Sequence, residues 1–187
     1  MNERENRTRP TTPEEKAQSK ILDPTPERRK FVIESFYRFF LGELTYAQLV
    51  GIPQKKLFRI AELGHVKLTY GRVEEAKEIF ESLIKVDPHN FYYHSTLGAV
   101  YQKQKRYIEA VFEYTEALRL NPEDLVSLVN RGEIYLIHKN YRRAAEDFKG
   151  AILKDPVGRS NFANRARSLV IVIKQTLQHQ KRRIQNK

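Results

Sequence analysis

Apolar and polar residues follow the three-to-four-residue period of amphipathic helices along most of the chain, and this pattern recurs three times at a spacing of 34 residues. Four series of marker residues keep that spacing: glycine (Gly64, Gly98, Gly132), alanine (Ala76, Ala110, Ala144), aromatic (Phe80, Tyr114, Phe148) and proline (Pro88, Pro122, Pro156). The alternative, unrelated helices with a shared spacing, would require four independent coincidences. We therefore predict three helix pairs, at 57–90, 91–124 and 125–158.

Each marker has a physical role in a helix pair. The small glycine and alanine let two helices approach to the usual axial distance of about 8–10 Å, and the aromatic residue fills the space between them. Proline cannot continue the second helix, and it follows a residue that favours turns. Asn90 and Asp124 then stand where the next helix requires an N-cap.

These markers and their spacing resemble the tetratricopeptide repeat, a helix-turn-helix unit with Gly at position 8, Ala at 20, an aromatic at 24 and Pro at 32. The resemblance implies an all-α fold in which three tetratricopeptide repeats stack in a right-handed solenoid. Such stacks act through their surfaces.

The segments before the repeats differ sharply in character. Residues 1–26 are charged and rich in proline, so we expect a flexible charged arm. Residues 27–56 form a helical leader whose aromatic helix is apolar on more than one face and ends at Gly42. A helix of this kind needs partners on two sides, so we expect a homodimer. The dimerisation residues that we predict are Phe31, Phe36, Phe39 and Phe40.

Residues 159–187 predict a basic C-terminal capping helix. Gly158 breaks the chain, Ser160 can cap the helix, and apolar residues follow at helical spacing from Phe162 to Leu177. A solenoid requires such a helix, since its last repeat would otherwise expose an apolar side.

The net charge of +11 belongs mainly to this last segment. Residues 159–187 carry eight basic and no acidic groups, whereas residues 27–158 carry 21 and 18. We interpret the cluster Lys181–Arg183 as a solvated helix end favoured by the helix dipole. The alternative is contact with an acidic protein, a lipid head group or nucleic acid, and of these we do not expect nucleic acid to be a partner.

Composition predicts a cytoplasmic protein without disulfides. The sequence has no cysteine, no signal peptide is recognisable, and the longest aliphatic run, Leu169 to Ile173, is too short to cross a bilayer. Glycine loops for phosphate, nucleophile elbows and His-Glu zinc motifs are missing from the sequence, and its five histidines are scattered. We therefore expect no catalysis, no cofactor and no metal site.

The first helices of tetratricopeptide repeats line a concave groove through positions 2, 5, 9 and 12. In this sequence those positions hold Phe58, Ala61, His65 and Leu68; Tyr92, Ser95, Ala99 and Gln102; and Val126, Val129, Glu133 and Leu136. Co-chaperones of this type that grip acidic tails carry Lys at position 5 and Asn at position 9 of the first repeat, where this chain has Ala61 and His65. The predicted groove therefore favours an extended peptide with apolar side chains. For each residue the alternative is a place in the core.

The leader narrows the resemblance. Phe40-Leu41-Gly42-Glu43-Leu44-Thr45, the element Leu49-Val50-Gly51-Ile52, and Leu97-Gly98-Ala99 with Gln102 resemble the SycD/LcrH-type class II chaperones of bacterial type III secretion. That resemblance implies a cytoplasmic, self-associating chaperone that holds an extended segment of hydrophobic translocator proteins in the groove. Two alternatives remain: a general tetratricopeptide scaffold for protein interactions, and an adaptor that binds anionic partners through its basic tail.

Overall fold

A computed structural model describes residues 25–185, which form two compact units divided between Leu44 and Thr45. The predicted arm, residues 1–26, lies almost entirely outside the described residues. In the first unit, helix α1 spans Pro26–Phe40. Gly42, at a φ of 76°, follows it and donates its N–H to the Phe39 carbonyl, which ends the helix where the sequence predicts.

Within the described residues, the second unit is also entirely helical. Its helices are α2 Tyr46–Leu49, α3 Gln54–Thr69, α4 Val73–Val86, α5 Phe91–Lys103, α6 Tyr107–Leu120, α7 Leu125–Ile137, α8 Tyr141–Lys154 and α9 Asn161–Gln185. Successive helices from α3 to α9 pack against one another. The predicted fold class, an all-α solenoid of helix pairs with an aromatic helix before it and a capping helix after it, is confirmed. The limits 57–90, 91–124 and 125–158 stay a prediction, since helix ends do not define the edges of repeats.

The marker glycines and aromatics meet inside each pair. A Cβ at Gly98 would lie 2.8 Å from the ring of Tyr114, and one at Gly132 would lie 2.6 Å from the ring of Phe148. Both rings are fully buried. Only glycine therefore permits this approach, which is the role that the repeat pattern assigns to it.

Turns and caps repeat with the same period. Asn90 accepts a hydrogen bond from the backbone N–H of Tyr92 at the start of α5, and Asp124 accepts from the N–H of Val126 and Ser127 at the start of α7. Both N-caps that the sequence predicts are confirmed. These caps fix the residue at which the first helix of the next pair begins.

Helix α9 covers the far end of the second unit. Ala163, Ala166 and Ile173 are buried, and helix α9 contacts both α7 and α8. Ser160 accepts the N–H of Phe162, as a cap should. Leu177 is exposed, so the capping role belongs to the first half of the helix.

An ion pair replaces an apolar contact in the third pair. Arg131 stands at the position of the buried Leu97, and its guanidinium donates to both carboxylate oxygens of Asp147 at 2.7 and 3.0 Å. Such bidentate pairing satisfies two charges that are largely buried.

Candidate functional site

Three predicted groove residues meet at the junction of the first and second helix pairs. Phe58 and Ala61 of α3 and Tyr92 of α5 line one hollow of about 460 Å³, which we call the groove pocket. Its remaining lining residues are Gln54, Lys55, Asn90 and Tyr93. The pocket has the size and the mixture of aromatic walls and polar rim expected of a ligand site.

Aromatic packing holds the wall of this pocket in place. Tyr92 is 38% exposed, and its ring contacts the buried ring of Phe80 edge-on, at 6.2 Å between centroids and an interplanar angle of 73°. Tyr93, which is buried, lies 6.5 Å from the same ring. Phe58 is 61% exposed and offers free apolar surface. One wall of the pocket, Tyr92, is thus held by its neighbours, whereas the ring of Phe58 is exposed and can contact a ligand.

A buried histidine supports the turn that leads to the pocket. Nδ1 of His94 lies 2.7 Å from Oε2 of Glu113, and its Nε2 lies 3.0 Å from the carbonyl oxygen of Pro88. Both neighbours accept hydrogen bonds, so a protonated imidazole that donates from both nitrogens satisfies them. Burial alone lowers the pKa of His94, but the bonds to Glu113 and Pro88 outweigh it, and the pKa is raised. Through these two hydrogen bonds, His94 connects the turn between α4 and α5 to helix α6.

The middle of the predicted groove is more closed than the sequence suggests. Ser95 is 4% exposed and donates its hydroxyl to the cap carboxylate of Asp124 at 2.8 Å, while Val129 is fully buried. Neither side chain offers surface to a peptide in this conformation. Gln102 is half-buried and accepts the hydroxyl of Tyr114 at 2.7 Å. Burial raises the pKa of Tyr114, which keeps this hydroxyl protonated.

The far end of the predicted groove is charged. Glu133 of α7 pairs with Arg165 of the capping helix, so the cap contributes a cation beside the third helix pair. The other predicted groove residues differ in accessibility. His65 is exposed, Leu68 is buried, and Ala99, Val126 and Leu136 are half-buried. The groove lining as a whole stays a prediction, with its strongest support at the groove pocket.

The predicted dimerisation residues lie on α1. Phe31, Phe36 and Phe40 are exposed, and Phe39 is half-buried, with its ring 5.8 Å from that of Phe40. The helix has no buried residue. Their part in a dimer stays a prediction.

A second apolar hollow, of about 510 Å³, lies between α6 and the C-terminal part of α7, and we call it the outer groove. Its lining residues include Tyr107, Ile108, Val111, Tyr135, His138 and Asn140. None of them stands at position 2, 5, 9 or 12, so the repeat-based reasoning missed this surface. The signal available in the sequence was Ile108 and Phe112, one helical turn apart and outside the marker series.

Residues 25–185 contain no group of three His, Asp or Glu side chains arranged to hold a metal ion. Among the helices described, none has the length and apolar character needed to span a membrane.

Comparison with known proteins identifies the repeat and the fold. Models of the tetratricopeptide repeat family match residues 60–90 and 91–124. These two matches show that the chain carries tetratricopeptide repeats. No curated protein matches the chain in sequence.

Solved structures with the same fold include secretion chaperones. A T3SS complex from Aeromonas hydrophila is 21% identical, with a TM-score of 0.71, and the match covers 78% of this chain and 98% of that one. The type III secretion translocator chaperone SycD of Yersinia enterocolitica, in complex with a peptide of the translocator YopD, is 20% identical, with a TM-score of 0.61 and coverage of 67% and 97%. SycD has also been solved as an alternative dimer, at a TM-score of 0.63, 20% identity and coverage of 67% and 96%.

The fold also occurs outside secretion. The first tetratricopeptide domain of Spaghetti (RPAP3), bound to the HSP90 peptide SRMEEVD, is 19% identical, with a TM-score of 0.60 and coverage of 67% and 96%. At these identities the likeness shows a shared fold of the peptide-binding tetratricopeptide type, and it leaves the bound partner open.

Proposed function

We propose that this protein is a chaperone of type III secretion that holds an extended, apolar segment of a translocator protein in its groove. It would act in the cytoplasm, before export, by covering cargo surface that otherwise aggregates. The observation that carries the proposal is the groove pocket, where Phe58 and Tyr92 present apolar surface to an incoming segment and the buried Ala61 lies behind them. The likeness to SycD bound to a YopD peptide supports the same class of ligand.

The side chains on α3, the first helix of the first repeat, favour an apolar ligand over an acidic tail. Ala61 and His65 occupy the positions at which carboxylate-gripping co-chaperones carry Lys and Asn. An alanine methyl offers no hydrogen bond to a carboxylate, so recognition there depends on shape and apolar contact. An apolar side chain inserted beside Phe58 would bury surface that is now in contact with water.

Self-association through α1 is part of this proposal. The exposed aromatic residues on that helix would be covered by a second copy, and SycD supplies a precedent for a dimer in this fold. A general tetratricopeptide scaffold is the alternative, since the Spaghetti domain shares the fold with a different ligand.

Co-expression with a translocator of a type III secretion system tests the proposal. We expect the full-length chain to raise the translocator's solubility and to form a stable complex with it. Phe58→Glu or Tyr92→Glu should abolish that complex while the far-ultraviolet circular dichroism stays unchanged, because binding an apolar segment would then require a carboxylate to be desolvated against it.

The matched control is Tyr70→Glu, which changes a side chain that is 79% exposed and lies outside the groove pocket. It should leave the complex intact. Undiminished binding by the Phe58 and Tyr92 variants would remove the groove assignment.

A further inference from the structure

The outer groove combines an exposed apolar floor with an adjoining basic hollow. Ile108 is 86% exposed although it lines a concave surface, and the ring of His138 packs edge-on against Tyr107 at 5.3 Å between centroids. Two rings in edge-on contact thus form one wall of the outer groove. Preformed concavity reduces the ordering cost of binding.

Asn140 connects the outer groove to a polar hollow of about 560 Å³ that Arg142, Arg143 and Glu146 also line. Arg142 and Glu146 neutralise each other through a contact of 3.1 Å. Arg143 forms no ion pair with any residue of the described chain; its guanidinium instead lies 5.6 Å from the ring centroid of Tyr135, which lines the outer groove. One cation without a carboxylate partner therefore borders the apolar floor.

Lys139 adds a second cation at the same edge. It follows His138 at a φ of 58°, between two residues that line the outer groove, and within residues 25–185 it takes part in no ion pair. Arg106, on the other side of Tyr107, is already paired with Glu109 at 2.8 Å. The balance of unpaired charge beside the outer groove is thus positive.

We propose that the outer groove is a second docking surface, for a protein segment in which an apolar side chain is followed by acidic residues. The apolar side chain would pack on Ile108, Val111 and Tyr135, and a carboxylate would pair with the guanidinium of Arg143, whose planar fork suits two parallel hydrogen bonds. This surface shares no residue with the groove pocket, so a second segment can bind while the first is occupied. The inference does not rest on the proposed function.

Charge disfavours a second copy of this chain as the occupant. The exposed apolar helix α1 carries Arg28, Arg29, Lys30 and Arg38 against Glu27 and Glu34, and the exposed half of α9 carries only basic charges. Both would bring cations to a basic edge. A partner with acidic residues beside its apolar anchor has the complementary pattern.

The test uses the full-length protein and a fluorescein-labelled synthetic peptide that repeats Ser-Leu-Asp-Glu three times. We expect it to bind and to shift the backbone amide signals of residues 107–111 and 134–143 in a heteronuclear NMR spectrum. A matched peptide that repeats Ser-Leu-Lys-Lys should bind with a dissociation constant roughly tenfold higher, or higher still. A tenfold change corresponds to about 1.4 kcal/mol in the free energy of binding.

Two variants test the apolar part and the charged part of the outer groove separately. Ile108→Glu should weaken binding of the acidic peptide roughly tenfold by placing a like charge in the groove, and Arg143→Gln should remove the preference for the acidic peptide over the lysine peptide. Leu153→Glu is the control, since that side chain is 67% exposed on α8 and lies outside the outer groove.

Four results would overturn the proposal. The acidic peptide fails to bind; it binds equally well to the Ile108 and Arg143 variants; it shifts residues 58–61 and 90–93 in place of the outer groove; or light scattering shows self-association that Ile108→Glu abolishes, which would make the surface homotypic. The proposed secretion function can fail on Phe58 and Tyr92 without affecting any of these results.

Discussion

At the residue scale, the marker glycines set how closely the helices of each pair approach. Gly98→Ala would place a Cβ 2.8 Å from the ring of Tyr114, which is fully buried and held by a bond from its hydroxyl to Gln102. We expect a loss of about 1–3 kcal/mol in the free energy of unfolding, because the ring has no space into which to move. Urea denaturation followed by circular dichroism measures this loss.

Gly150→Ala is the matched control. Its Cβ would lie 3.6 Å from Leu128, an ordinary contact, inside α8. Alanine is favoured over glycine within a helix, so this variant should gain about 0.5–1 kcal/mol. Equal losses in both variants would show that the close approach at Gly98 is not what the glycine provides.

The buried pair of His94 and Glu113 predicts a dependence of stability on pH. The folded-state pKa of His94 is raised above 6.5. The stability that it contributes is therefore complete below about pH 6.5 and is lost as the pH rises through the folded pKa. The free energy of unfolding, measured across this range, should fall with rising pH in the natural chain and fall less in His94→Gln.

The acidic groups that act on this histidine are Glu113 and Glu116, both on α6. Glu113→Gln should accordingly reduce the same slope. An unchanged slope in both variants would mean that another group titrates.

Residue roles inside the helix pairs were predictable only where they depend on the pair itself. The contacts of Gly98 and the caps Asn90 and Asp124 follow from the repeat pattern. Ser95 was predicted to line the groove, but it is buried, and its hydroxyl accepts a hydrogen bond from the hydroxyl of Ser127, which belongs to the following pair. A position number within one repeat does not contain that neighbour, so the sequence pattern could not reveal the bond.

At the scale of the helices, α1 carries exposed aromatic residues from its start to its end. Light scattering on the full-length protein should show a dimer, and Phe31→Glu combined with Phe40→Glu should convert it to a monomer, since each carboxylate would have to be buried in an apolar contact. The control is Phe112→Glu, which changes an exposed phenylalanine on α6. A dimer that persists in the α1 variant would place the interface elsewhere.

Helix ends were more predictable than helix environments. Gly42 and Ser160 mark the end of α1 and the start of α9 because a positive φ and an N-cap are local requirements. The extent of burial along α9 was less predictable. Leu177 keeps the helical spacing of the buried Ile173 but is exposed, because burial depends on whether a partner helix lies opposite it.

At the scale of the molecule, the repeats present two apolar surfaces on different helices. The groove pocket has aromatic walls with Lys55 beside them, and the outer groove adjoins Arg143 and Lys139. Reasoning from repeat positions found the first surface and missed the second, because that reasoning follows positions 2, 5, 9 and 12 of the first helices. The outer groove is lined by the start of α6 and by other positions at the end of α7 and the turn after it. The net charge of +11 gave no indication of either surface.

The most direct test of the central claim is to purify the full-length protein from its native cell and identify the bound proteins by mass spectrometry. We expect a secreted translocator with apolar segments to accompany the natural chain and to be lost with Phe58→Glu, while Tyr70→Glu retains it. Recovery of structural or regulatory proteins, with no secreted membrane-active protein among them, would contradict the secretion function and favour a general scaffold.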